Sequence, residues 1–216
     1  MSMTNMILQV FSGTGATLLI FFSTLILSMP LGLLVAFGRM SHIRPVSGIV
    51  KIFISILRGT PLMLQLIVWF YGPYYLAGIT ISSEWRVAAT IIGFSVNYSA
   101  YFAEIFRSGI QSIPVGQREA ASVLGYSREQ TFAKIIFPQM IKRVLPPVTN
   151  EIITLVKDTS LAFVLAYTEM FTIAKQVAAA QTTIIPLFIA GAFYYIFNAI
   201  VARVMEGVEN KLSYYQ

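Results

Sequence analysis

The chain has 216 residues, 56 % of them hydrophobic and only 11 % charged. Soluble domains carry about a quarter charged residues, so an ordinary soluble domain is excluded and one polytopic membrane domain is predicted. With no cysteine and one histidine, His42, disulfides, thiolate metal sites and a histidine metal cluster are excluded, and the net charge of +6 is dispersed around apolar segments rather than gathered as on a nucleic-acid surface.

Five membrane-spanning helices are expected, at about 16–37, 49–77, 87–106, 147–167 and 184–202, forming a single all-α domain over 1–216. A short apolar stretch at 6–11 precedes the first span and lies on the surface. Met1–Gly15 carries no Lys or Arg, which is not the pattern of a cleavable signal peptide. Span two is interrupted by Arg58-Gly59-Thr60-Pro61, read as a packing kink with Arg58 snorkelling inward. Pro30, Pro61 and Pro186 each bend a helix in or at the edge of a span.

The polar loop at about 108–143 holds a short helix predicted from about Gln117 to Leu124, ended by Gly125. A second helix opens at Ser127, with Gln130 placed three residues on for a capping box. A helix–Gly–helix knob between spans suits docking on a soluble partner. Basic residues set its side. With the N-terminus outside, the inner segments hold Arg39, Arg44, Arg107, Arg118, Arg128, Lys134, Lys142, Arg143, Arg203 and Lys211, against Arg86 and Lys175 outside. That bias puts the knob and the C-terminus in the cytoplasm.

Ionisable and polar groups within spans mark a solute path. In span four, Glu151, Thr154 and Asp158 form one stripe, with Thr159 and Ser160 following. In span three, Asn97, Tyr101, Glu104 and Ser108 form another. Asn97 and Thr154 come out at similar depth, so Asn97, Tyr101, Glu151, Thr154, Asp158, Thr159 and Ser160 are the candidate pocket for a polar, cationic solute. Glu104 instead reads as a helix-end ion pair with Arg107, and His42 as having no specific role. No P-loop, His-Glu-x-x-His or nucleophile elbow is encoded, so the chain is not expected to be an enzyme. Energy for active transport would come from another subunit or an ion gradient.

Glu119-Ala120-Ala121, three residues, Gly125, nine residues, then Ile135-x-Phe137-Pro138 resembles the EAA loop of ABC-importer permeases. Asn97-Tyr98-Ser99-Ala100-Tyr101 and Lys157-Asp158-Thr159-Ser160-Leu161 are similar to motifs of the polar amino-acid (histidine/glutamine/arginine) group, with Phe137 where that family usually has Leu. The resemblance implies a type I importer permease in the bacterial inner membrane, N-terminus outside, working by alternating access. It implies a second permease subunit (the same chain or a different one), an ABC ATPase and an extracytoplasmic amino-acid-binding protein. Glu119, Ala120, Ala121 and Gly125 would couple to the ATPase. No cofactor is implied for this chain, because ATP and Mg would be bound by the ATPase. A secondary transporter using Asp158 or Glu151 as an ion site, and a channel or scaffold, are the alternatives; five spans without an internal repeat argue against the former.

Overall fold

The computed structural model describes residues 2–212, and all regular structure among them is helical. Helix α1 (Met3–Phe11) starts at Ser2, whose side chain accepts from the Asn5 N–H. It leads into α2 (Thr14–Arg39), and the two run as one apolar element of 37 residues. The 30-residue α5 (Ser83–Ser112) is the central helix and packs along α2 over the longest interface in the chain. Gly32 permits that approach, since a Cβ there would lie 2.7 Å from Phe102 Cβ.

The expected span at 49–77 is two helices, α3 (Arg44–Gly59) and α4 (Leu62–Ala77), which meet at 110°. The cause is Pro61. It lacks the N–H that the Leu57 carbonyl would accept four residues upstream. That carbonyl is satisfied by side chains instead: Gln65 Nε2 donates at 2.9 Å and Asn97 Nδ2 at 3.1 Å. Gln65 Nε2 also reaches the carbonyl and hydroxyl of Thr60, and its Oε1 accepts from Asn97 at 3.0 Å. The corner is therefore fastened to α5.

Beyond α5, α6 (Val115–Val123) and the one-turn α7 (Arg128–Thr131) form the knob. A π-helical turn, Phe132–Ile136, passes into α8 (Phe137–Asp158). Pro146 and Pro147 do not break α8, which begins ten residues before the expected start of span four. A 3₁₀ segment, Thr159–Leu165, follows. The helix α9 (Met170–Gln181), unanticipated in the sequence reading, packs against α10 (Ile185–Leu212). The core lies among α2, α4, α5 and α8, around Ile20, Leu66, Phe94, Phe102, Met140 and Leu155.

Among the described residues, Met3–Arg39 and Ile185–Leu212 are each long and apolar enough to cross a membrane. The count rises to four if α3 with α4, and the 128–165 helices with α9, each make one bent span. Helix α5 is not among these, because Ser95, Asn97, Ser99 and Glu104 offset its apolar residues. Ser95, Asn97 and Ser99 are buried against neighbouring helices, which is how such groups are tolerated at membrane depth.

Replacing Gln65 by Leu leaves the Leu57 carbonyl and the Asn97 amide short of partners. The expected cost is about 1–3 kcal/mol, read as a lower unfolding midpoint in detergent, and an unchanged midpoint would show that the corner holds by packing alone.

Candidate functional site

An open cavity of about 530 Å³ lies between the C-terminal half of α5, the middle of α8 and the end of α3. Tyr101, Glu104, Arg107 and Ser108 reach it from α5, Arg143 and Glu151 from α8, and Arg58 from α3. The lower part of the span-three stripe thus faces the cavity as its spacing predicts. Arg58 lies over the Tyr101 ring, 5.3 Å from its centroid. Glu104 is held by Arg107 in a forked ion pair, Nη2 to Oε2 at 2.6 Å with Nε on both oxygens. This is the helix-end pair read from the sequence. Arg107 Nη1 also donates to Gln111 Oε1 at 2.6 Å.

The other candidates divide. Asp158 accepts from the Tyr98 hydroxyl at 2.8 Å, so the α8 stripe is joined to α5 at its upper end. Thr154 is half-buried between Glu151 and Asp158 on that stripe. Asn97 does not line the cavity; it is buried in the α3–α4 corner, where its amide has structural partners. Thr159 is fully buried and donates to the Val156 carbonyl at 2.8 Å, while Ser160 donates to the Lys157 carbonyl at 2.7 Å. The structure therefore brings Tyr101 and Glu151 to one space, adds Arg58 to it, gives Thr159 and Ser160 partners within their own turn, and holds Asn97 in the α3–α4 corner.

Tyr98 and Glu169 were missed. Tyr98 is next to Asn97 but about 100° around the helix, which turns it to Asp158. Glu169 is fully buried and is the N-cap of α9. It accepts from the N–H groups of Phe171 and Thr172 at 2.7 Å each, the Thr172 hydroxyl at 2.8 Å and the Tyr194 hydroxyl at 2.9 Å. Tyr194 lies 3.4 Å from Thr159 Oγ1, and the Met170 N–H donates to Thr17. The carboxylate joins α9 to α10, and the 3₁₀ segment and α2 reach the same cluster through Thr159 and Thr17. A capping acid three residues before Thr172 was the available signal, lost because 168–183 read as a loop.

The knob has the predicted helix stop and capping box. Gly125 adopts φ +79°, and the N–H groups of Gly125 and Tyr126 donate back to Ser122 and Ala121, a left-handed helix stop. Ser127 and Gln130 form the reciprocal capping box. Glu119, Ala120 and Gly125 are exposed, as are Val115, Val123 and Leu124, with Val123 at 86 %. Ala121 is 1 % exposed and packs within the chain, so it is not on the outer face. Side chains hold the knob to the helices above it. Arg118 donates to the Ile110 carbonyl of α5 at 3.4 Å and Gln139 of α8 lies 3.5 Å from Gln117, while Arg143 of α8 bonds the Ser112 carbonyl and so ties α8 to the end of α5.

Residues 28–214 match the family described as binding-protein-dependent transport system inner membrane component. The chain belongs to this family. The permease is 34 % identical over 205 residues to the arginine transport system permease protein ArtQ of Bacillus subtilis (strain 168), covering 94 % of this chain and 92 % of that one. It is 35 % identical to the L-cystine transport system permease protein TcyB of the same organism, over 88 % of this chain and 80 % of that one. Among solved structures it superimposes on an amino acid ABC transporter with histidines at TM-score 0.84, 29 % identity and 94 % coverage of both chains. It shares the fold of the MetNI methionine ABC transporter at TM-score 0.75 and 18 % identity, covering 98 % of this chain and 99 % of that one.

Glu169→Ala removes the acceptor for four donors of this permease. The expected loss is about 3 kcal/mol, measured as thermal stability in detergent, with part recovered by Glu169→Gln because an amide oxygen still accepts. A loss below about 0.5 kcal/mol would show that the network contributes no stability.

Proposed function

We propose that the chain is the membrane-spanning subunit of an ATP-driven ABC importer for polar, preferentially basic, amino acids. It works in the bacterial inner membrane with its N-terminus outside. The observation that carries this reading is the exposed helix–Gly–helix element, stopped at Gly125 and fastened through Arg118 to α5 and through Gln117 to α8, the two long helices that line the cavity. Val115, Val123 and Leu124 give it an apolar outer face of the kind that a partner covers. That partner is a soluble ABC ATPase, which binds ATP and Mg, so this chain needs no cofactor of its own. Glu119, Ala120 and Gly125 form the contact, with Ala121 holding the element in place from behind. A second permease subunit and an extracytoplasmic amino-acid-binding protein complete the assembly.

The relatives named for arginine, cystine and amino acids support the substrate class. Within the cavity it is Glu151, the carboxylate not taken up by an arginine ion pair, that supports the charge preference. Arg58 can meet the α-carboxylate of an amino acid and Glu151 a cationic group, while Glu104 is taken up by Arg107. Asp158, oriented by Tyr98, supplies a second acidic group farther along the path. Thr154 lies between them, and Tyr101 offers its ring and hydroxyl. In the alternating-access step the knob passes its movement to α5 and α8 together as the ATPase pair closes.

Gly125→Asp places a side chain on a left-handed turn and a charge in the contact. Transport should fall at least tenfold while the chain still inserts and the ATPase still hydrolyses; coupled transport at the normal rate would sink the assignment. Glu151→Gln should weaken uptake of a cationic amino acid about tenfold more than that of a neutral one, in vesicles loaded with ATP. Equal loss for both would make Glu151 a packing residue.

A further inference from the structure

Between the α2–α3 loop and the knob is a second cavity, of about 440 Å³, whose charge is of one sign. His42, Arg118 and Arg128 line it together with the hydroxyls of Ser122, Tyr126 and Thr131, and no carboxylate is among its lining residues. Its remaining lining, Phe132 and Ile136, is apolar. Phe132 makes ring contacts with Phe37 at 5.2 Å and Phe137 at 5.8 Å. Phe137 in turn lines a third cavity, of about 380 Å³, with Pro30, Leu33, Ile141, Leu145 and Val148. That groove is apolar and runs between α2 and α8. From Phe137 to Val148 the helix rises about 16 Å, close to the depth of one hydrocarbon leaflet, about 15 Å.

A basic compartment joined through an aromatic pair to an apolar groove one leaflet deep fits an amphiphile. A free anion would leave the groove unused, and a cationic peptide is repelled by the first compartment. We propose that the two cavities together bind one anionic phospholipid, its phosphate among His42, Arg118 and Arg128 and one acyl chain between α2 and α8. Arg118 gives one N–H to the Ile110 carbonyl, and a guanidinium has further donors for a phosphate. The lining also spans two separate parts of the chain, the loop at His42 and the knob, so a bound headgroup bridges them. Basic pockets on the cytoplasmic side of membrane helices take such headgroups. The proposal rests on the inner-face orientation argued above only for which leaflet supplies the lipid.

The test is native mass spectrometry of the full chain in neutral detergent, titrated with phosphatidylglycerol, phosphatidylcholine of the same chain length, or inorganic phosphate. Each cation near such a headgroup is worth about fivefold in affinity. Arg118→Gln with Arg128→Gln should therefore weaken phosphatidylglycerol binding about 25-fold and leave phosphatidylcholine binding unchanged. Leu33→Trp, which fills the groove, should weaken phosphatidylglycerol but not inorganic phosphate. If phosphate binds as well as the lipid and Leu33→Trp has no effect, the site takes a free anion and the proposal is overturned. Equal binding of the two lipids by the unaltered chain, or no change in the double variant, overturns it as well. None of these readouts involves ATP or transport, so failure here leaves the importer reading standing, and failure of that reading leaves this result intact.

Discussion

The structure depends on how one backbone carbonyl is satisfied away from water. Pro61 deprives Leu57 of its helical partner, and in a low-dielectric interior an unmet carbonyl costs several kcal/mol. Gln65 and Asn97 supply two amide donors within 3.1 Å. Because one comes from α4 and the other from α5, meeting the carbonyl's need also fixes the angle of α3 against both. The corner then sets where Arg58 leaves α3, and so places its guanidinium on the Tyr101 ring at the edge of the central cavity. A backbone defect in one helix is thus the reason that a charged group can be held beside another.

The same economy of polar groups appears at the other bend. Glu169 caps the start of α9, four residues after the 3₁₀ segment stops at Leu165, and its four donors come from α9 and α10. Tyr194 brings Thr159 within reach of that network, one residue beyond Asp158. The upper end of the α8 stripe is therefore positioned by Tyr98 on one side and by the Glu169 cluster on the other. Below the cavity, Arg143 and Arg118 bond carbonyls at the end of α5, so the knob, α5 and α8 form one braced unit.

Legibility in the sequence followed the range of the forces involved. The stop at Gly125 and the Ser127–Gln130 box are decided within four residues, and both stand as their spacing predicts. The Glu104–Arg107 pair is similarly local. Asn97 is the instructive departure: its place on a polar stripe was visible, but its partners are 32 and 40 residues away, across a bend whose 110° no periodicity encodes. Arg58 entered the cavity for the same reason. Helix α9 was invisible because twelve residues with little hydropathy contrast do not register as a span, and Ala121 reads as exposed in a polar run until the fold covers it.

The π-helical turn at Phe132–Ile136 acts as a phase shifter in the chain. An additional residue in one turn rotates everything before it by about 100° relative to an unbroken α-helix. The face that the Arg128–Thr131 turn offers is therefore set by five residues that belong to neither the knob nor the long helix. If that turn relaxed to regular α geometry, the knob would be re-aimed around the α8 axis with no change in its own fold. Angular register at this junction is thus a variable separate from the fold of the knob itself.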